Sequence, residues 1–289
     1  MASLKDLRRR IRATKSMQQI FKAMEMVAAA KLRRAHQRAQ AASPYSAKIS
    51  AMLANLSESA AELEHPLFKE RDVAMTALVV ITADRGFAGA YNTVVLRVAE
   101  QKLRAAPPGA VKLVVIGRRG RDYLRRRGYP ILAAHTDLPG EASLDLARRI
   151  TNELTEWFVS GEVDRVEILY SHFVNAMVRR LRTETFLPIG ADTAKDSAAS
   201  GQRMGSAIFE PDAESIFAEL LPRYATAKLY AAMADALASE HSARMVAMGS
   251  ARKNAGELVD ALTLQRNRLR QAMITREISE LVGGAEALR

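Results

Sequence analysis

Residues 3–35 read SLKDLRRRIRATKSMQQIFKAMEMVAAAKLRRA, and they open a longer run, residues 3–57, with no Gly and a single Pro, Pro44. Ser3, with Asp6 three residues on, makes a capping-box-like start before Leu7. Apolar residues then recur at Leu4, Leu7 and Ile11, and again at Met17, Ile20, Met24, Val27 and Ala28. Spacing of three and four predicts the seam of a coiled coil, with a phase slip between Thr14 and Met17. A helix this long, on the order of 60–80 Å, exceeds what a compact domain needs.

The same run carries almost all of the net charge. Residues 1–50 hold 12 Lys and Arg against two acids, Asp6 and Glu25. The remaining residues hold 31 bases against 30 acids, so the total of +11 belongs to one element. Such a stretch fits nucleic acid, a membrane surface or an acidic protein. A secretion signal is excluded, because Lys22, Glu25 and Lys31 interrupt the apolar run around MVAAA. No apolar run reaches the ~20 residues of a membrane span. The chain has no cysteine, which removes disulfides, thiolate metal sites and a Cys nucleophile and suits a reducing compartment.

A different pattern begins near Val73. Met75–Thr82, Val111–Ile116, Ile131–His135 and Val166–Tyr170 read as strands, and Val178–Leu187 as a fifth at an edge. Helices are predicted between them, at about Thr93–Ala105, in a short basic segment after Ile116, and at Leu144–Phe158. That alternation predicts βαβ units and a mostly parallel, Rossmann-like sheet with both faces covered. Residues 190–206 are small and polar and read as a flexible linker. A short helix at Ala213–Leu221 precedes a long one, with Pro222 in its first turn and a seam through Tyr224, Ala231, Ala234, Leu237, Met245, Met248, Leu258, Leu262, Leu269 and Met273. The expected architecture is an α/β insert (73–189) between an N-terminal helix (1–58) and a C-terminal helix (208–289), the linker spanning 190–207. The two helices should pair as an antiparallel coiled coil, since neither has another partner for its seam.

Enzyme motifs are weak or absent. DRGFAGAYN, residues 84–92, lies at a strand-to-helix turn where α/β folds bind phosphate, but it lacks the third Gly of GxGxxG and the GK[ST] of a Walker loop. It reads as a tight turn with an Asp cap. GRRGRDYLRRRG, residues 117–128, has six Arg but only Tyr123 for stacking, so it reads as a solvated helix face or rim contact. No His has an HExxH or i,i+4 His partner, so a metal site is not expected. Glu240, His241 and Ser242 are adjacent on a helix and cannot face one another as a triad; His241 reads as a polar seam position. Arg270, Gln271, Thr275 and Glu277 cluster polar groups on two otherwise apolar turns. They read equally as exposed surface or as a contact.

KAMEMVAAAK (22–31), ITADRGFAGAYN (81–92), FEP (209–211), LLPRY (220–224), ASEHSARMVAM (238–248) and ITREISELVGGAEA (274–287) stand in the order and spacing of one family. Over essentially its whole length the chain resembles the γ subunits of F-type ATP synthases. Ala83, Phe87, Ala88 and Ala90 depart from the usual Ser, Leu-Cys and second Gly of the family's turn. There is no inserted cysteine pair of the chloroplast kind, and Met1 leading straight into the first helix favours a bacterial protein.

The resemblance implies a central rotor shaft of the proton-translocating enzyme, without catalytic residues, cofactor or metal of its own. Its expected partners are three α and three β subunits, ε and the membrane c-ring, with no nucleic acid and no direct membrane insertion. Its expected place is peripheral, on the cytoplasmic face of the bacterial inner membrane. By motif, Met24 should approach a moving acidic loop of β, and Arg270, Gln271, Thr275 and Glu277 should contact the ring. Two rivals remain: a basic coiled-coil nucleic-acid-binding protein, and an α/β enzyme with helical arms.

Overall fold

The computed structural model describes residues 3–59, 65–189 and 213–286. The expected linker at 190–206 and the FEP segment lie outside them. The elements are α1 (Leu4–Ser59), a 3₁₀ turn (Pro66–Phe68), β1 (Thr76–Ile81), α2 (Tyr91–Ala105), β2 (Val111–Ile116), α3 (Arg118–Arg126), β3 (Ile131–His135), α4 (Leu144–Val159), β4 (Arg165–Phe173), β5 (Arg179–Leu187) and α5 (Ala213–Glu286). They form two units, one of residues 1–28 with 245–289 and one of residues 29–244.

The larger unit is built on a five-stranded sheet in the order β3-β2-β1-β4-β5. β3, β2, β1 and β4 are parallel and β5 returns antiparallel to β4. The continuous apolar run of β1 follows from coverage on both faces. Val79 and Ile81 pack with Ile150, Leu154 and Phe158 of α4 and with Leu229 and Met233 of α5. Leu78 and Val80 point the other way, onto Val95 and Leu96 of α2 and Leu124 of α3. β3 alternates between half-buried and exposed positions, as an edge does, and β5 does so over its first four residues before ending in buried Phe186 and Leu187, which is why their sequence signals are weaker. α4 starts where the Ser143 hydroxyl accepts from the Leu146 N–H at 3.3 Å, an N-cap.

The smaller unit is an antiparallel helix pair. Its register is set by Arg252 Nε donating to Glu25 Oε2 at 2.8 Å, by Gly249 facing Glu25 and by Gly256 facing Gln18. On α1 the inward positions are Leu7, Ile11, Thr14, Gln18, Phe21, Glu25 and Ala28. On α5 they are Met248, Arg252, Ala255, Val259, Leu262, Arg266 and Leu269, of which Arg252 is the most exposed. Both series alternate steps of four and three without a break, the heptad rule of a coiled coil. The expected Ser3 cap is present: its hydroxyl accepts from the Asp6 N–H at 3.1 Å.

Four sequence expectations are corrected. Met17, Ile20 and Val27 are exposed, because polar Thr14, Gln18 and Glu25 hold the seam; the phase slip arose from following apolar residues alone. Leu258 and Met273 are likewise exposed, while Ala255 and Val259 are buried. Pro222 lies inside one continuous helix; the ring is solvent-exposed, and Thr226 Oγ1 donates to the Pro222 carbonyl at 2.8 Å. Finally, α2 has no side-chain cap. Asp84 instead accepts from the N–H groups of Arg118 (2.7 Å) and Leu138 (2.6 Å), tying two other loops together.

Candidate protein-contact surface

Doubly wound sheets bind ligands outside the carboxyl ends of their strands, at the point where strand order reverses. Here that point lies between β1 and β4, where Asp235 of α5 accepts from the Phe173 N–H at 2.9 Å, and the same helix covers the adjoining ends of β1 and β2. Met233, Ala236, Leu237 and Glu240 of α5 pack over Ile81, Thr82 and Ile116, leaving a cavity of only about 10 Å³. Tyr91 donates its hydroxyl to the Ala236 carbonyl at 3.1 Å. The DRGFAGAYN turn is clamped in the same way: Arg244 donates to the Gly86 carbonyl through Nε (3.3 Å) and Nη2 (3.2 Å). Phe87, with φ of 62°, projects from this turn 68% exposed.

Arg244 is the centre of a buried polar cluster that sequence reading missed. It pairs with Glu240 Oε1 at 2.6 Å, and its Nη1 lies 3.2 Å from His241 Nδ1. Arg has no acceptor, so His241 Nδ1 accepts, as a neutral imidazole can. Burial raises the Glu240 carboxyl above its ordinary value, with Arg244 pulling it back. Burial, Arg244 and Lys31 together push His241 down to about 4. Ser242 faces elsewhere, donating to the Ala176 carbonyl at 2.7 Å, so Glu240, His241 and Ser242 form no triad. Among the described residues no group of three or more His, Asp or Glu is placed to hold a metal ion.

The His241 shift has a measurable consequence. The folded-state value lies below the unfolded one, so its stabilising effect is complete above pH 6.5 and is lost as pH falls through about 4. Between pH 7 and about pH 4.5 the native chain should lose roughly 2–3 kcal/mol more than His241→Gln does. Urea titrations followed by the fluorescence of Trp157, the single tryptophan, measure this; parallel losses in the two proteins would refute it.

The Arg-rich helix α3 is largely satisfied internally. Arg118 pairs with Asp137, Arg121 with Asp122 at 2.8 Å, and Arg127 with Glu100 at 2.7 Å. Arg127 also stacks over the Tyr123 ring at 4.0 Å. Charge spent in this way does not make a phosphate-tracking stripe.

Among the described residues, exposed large apolar side chains recur along the two long helices, with others at Phe87 and Met177. Residues 270–284 are all exposed, with Ile274, Ile278, Leu281 (74%) and Val282 among them. Arg270, Ile274, Glu277 and Leu281 form one row at helical spacing, and Gln271, Thr275, Ile278 and Val282 form the next. The polar residues flagged in the sequence therefore share one face with an uncovered apolar surface. Thr275 and Ser279 turn their hydroxyls to the helix carbonyls of Gln271 and Thr275, and Arg276 pairs with Glu280 at 2.7 Å.

Met24 is half-buried and lies in a row with exposed Met17, Ile20 and Val27, an outward apolar strip beside the seam. The Glu25–Arg252 register places residue 270 level with about residue 7, so Met24 and Arg270 stand roughly 25–30 Å apart along the pair. They belong to two surfaces. Among the described residues no helix is long and apolar enough to cross a membrane.

Comparison with known proteins accords with this architecture. Residues 3–288 match the ATP synthase family profile. Relatives include the ATP synthase gamma chains of Desulforamulus reducens, 45% identical over 288 residues with all of both chains covered, and of Moorella thermoacetica, 43% identical over 289 residues, again with full coverage. A chain in the Euglena gracilis mitochondrial ATP synthase structure OSCP/F1/c-ring, rotational state 3, has a TM-score of 0.68 at 18% identity, covering 99% of this chain and 94% of that one. A chain in the central stalk/c-ring structure from Tetrahymena thermophila mitochondrial ATP synthase has a TM-score of 0.62 at 23% identity, covering 80% and 99%.

Proposed function

This chain belongs to the ATP synthase γ-chain family, and we infer that it turns as the enzyme's central shaft, coupling proton flow through the membrane c-ring to the catalytic β sites. It is a subunit of an enzyme complex; we assign it no catalytic residue, cofactor or metal of its own. Its partners are the three α and three β subunits, ε and the c-ring, and it sits peripherally on the cytoplasmic face of the membrane. One observation carries the reading: α5 runs on past the start of α1, and every residue from 270 to 284 is exposed, apolar ones included. An apolar surface of this kind marks a binding site, and a ring of subunits closing round the helix would cover it from all sides.

The mechanism follows from asymmetry. One shaft inside a threefold ring offers each β subunit a different face, and a third of a turn exchanges them. Such a shaft shifts each open–closed equilibrium only by its differential contact energy, about 1.4 kcal/mol per tenfold change. The Leu7–Ala28 and Met248–Leu269 seams give the stiffness that transmits torque. Arg270 and Gln271, on the same face as Ile274 and Ile278, are the orientation-dependent contacts.

Purification in mild detergent should recover one copy of this chain for three catalytic β subunits. Retention of nucleic acid, or recovery without the β subunits, would overturn the assignment in favour of a basic coiled-coil nucleic-acid binder. Arg270→Ala and Gln271→Ala should assemble normally yet pump fewer protons per ATP, each losing roughly 1–2 kcal/mol of contact energy. Wild-type pumping in inverted vesicles would remove these residues from the coupling surface.

A further inference from the structure

A cavity of about 150 Å³ opens beside the loop that follows β3. Lys31, Arg34 and Arg38 of α1 line one wall, Gly140 and Glu141 another, and Ala35, Ala234 and Leu237 form an apolar floor. Spacing of three and four puts the three cations on one face of α1. The cavity's single acid, Glu141, is taken by Arg38. Among the described residues neither Lys31 nor Arg34 has an ion-pair partner within 4.0 Å, and the further acid Glu240 acts on Lys31 only at longer range. A Cβ at Gly140, where φ is 76°, would lie only 3.7 Å from Lys31 Nζ, so the amine reaches the loop's backbone.

Adjacent like charges on a helix are destabilising unless something balances them. All three side chains are exposed, so their attraction for an anion rests on their convergence on one rim and is screened by salt. The space is well above the ~10–15 Å³ that one water needs, enough for a tetrahedral oxyanion but too small to enclose a base and ribose as well. Phosphate chemistry fits: a compact dianion meets the Arg34 fork and the Lys31 point charge together. We propose that the Lys31–Arg34–Arg38 face and the Gly140 loop form a phosphate-binding site, occupied by free phosphate or by the terminal phosphate of a nucleotide whose remainder stays outside.

The test is lysine acetylation by an amine-reactive reagent, read residue by residue by mass spectrometry. It is run on the assembled complex and on the full chain alone, with inorganic phosphate, ADP or chloride at matched ionic strength. Phosphate or ADP is expected to slow labelling of Lys31 about tenfold, since a bound dianion stabilises the unreactive ammonium, while exposed Lys22 and Lys69 react as before. Arg34→Ala should abolish the protection. Protection by phosphate alone identifies the free anion as occupant, and protection by ADP alone the nucleotide. Equal slowing by chloride would overturn the proposal. So would a Lys31 that is unreactive in the complex without either anion but reactive in the chain alone, because an acidic protein segment would then fill the cavity.

Discussion

Replacing Arg244 by Ala is expected to destabilise the sheet unit by roughly 3–5 kcal/mol. Glu240 is only 8% exposed, and Arg244 is the neighbouring charge that opposes the rise burial imposes on its carboxyl. Removing one partner of a buried pair leaves the other stranded, which costs far more than the pair contributes. The same change takes both donors from the Gly86 carbonyl and one from His241 Nδ1. Urea titration read at Trp157, which packs against this core, measures the loss.

Two features separate this account from simple loss of packing. Glu240→Gln in the Arg244→Ala background should restore part of the stability, because a neutral amide strands no charge. The deficit should also shrink as pH falls: Glu240 has a folded value above its unfolded one, so protonation favours the folded chain at low pH and that benefit is lost as pH rises through the folded value. A double variant no more stable than Arg244→Ala, with a deficit constant in pH, would show that the charge is not the cause. Arg244→Lys should be intermediate, keeping the charge but not the fork that spans Gly86, Glu240 and His241.

The globular architecture was legible in the sequence because its signals are local. β1 and β2 are buried on both faces and read as unbroken apolar runs; α4 announces itself through a 3.6-residue period. The coiled-coil seam was less legible because Thr14, Gln18 and Glu25 occupy it, and apolar patterning points to the outward strip of Met17, Ile20 and Val27 instead. Pro222 was read as a helix start because its ring removes a hydrogen bond; being exposed, it costs the helix less there than in a packed interior.

Of the candidate site, the polar cluster at 270–277 was visible, and the structure adds that its neighbours are uncovered. The Arg244 clamp could not be read. Its pair with Glu240 is local, but the loop it clamps is held through a backbone carbonyl 158 positions away, and carbonyls have no residue-type signature. Nor could the plugged crevice, which depends on α5 returning over β1 and β2. The weak glycine pattern of DRGFAGAYN, which lacks the third Gly of a dinucleotide loop, was the available hint.

Gly117→Ala should cost roughly 3 kcal/mol or more, combining backbone strain with overpacking. Gly117 joins β2 to α3 with φ of 104°, a region that a side chain disfavours. A Cβ there would lie 2.2 Å from the Thr82 carbonyl oxygen and 2.7 Å from its carbonyl carbon. These are backbone atoms at the end of β1, and they cannot swing aside. They are also pinned: the Thr82 N–H donates to the Ile116 carbonyl at 2.7 Å, and the Gly117 N–H to the His135 carbonyl at 2.8 Å. Relief of the clash therefore requires the carboxyl ends of β1, β2 and β3 to part, in the region where α5 seats. Gly109 supplies the control, with φ of 83° and nothing within 4 Å of its missing Cβ. Gly109→Ala carries the strain without the clash and should cost about 1–2 kcal/mol. If urea titrations at Trp157 give equal losses for the two variants, close approach of Gly117 to Thr82 is not what holds these strand ends together.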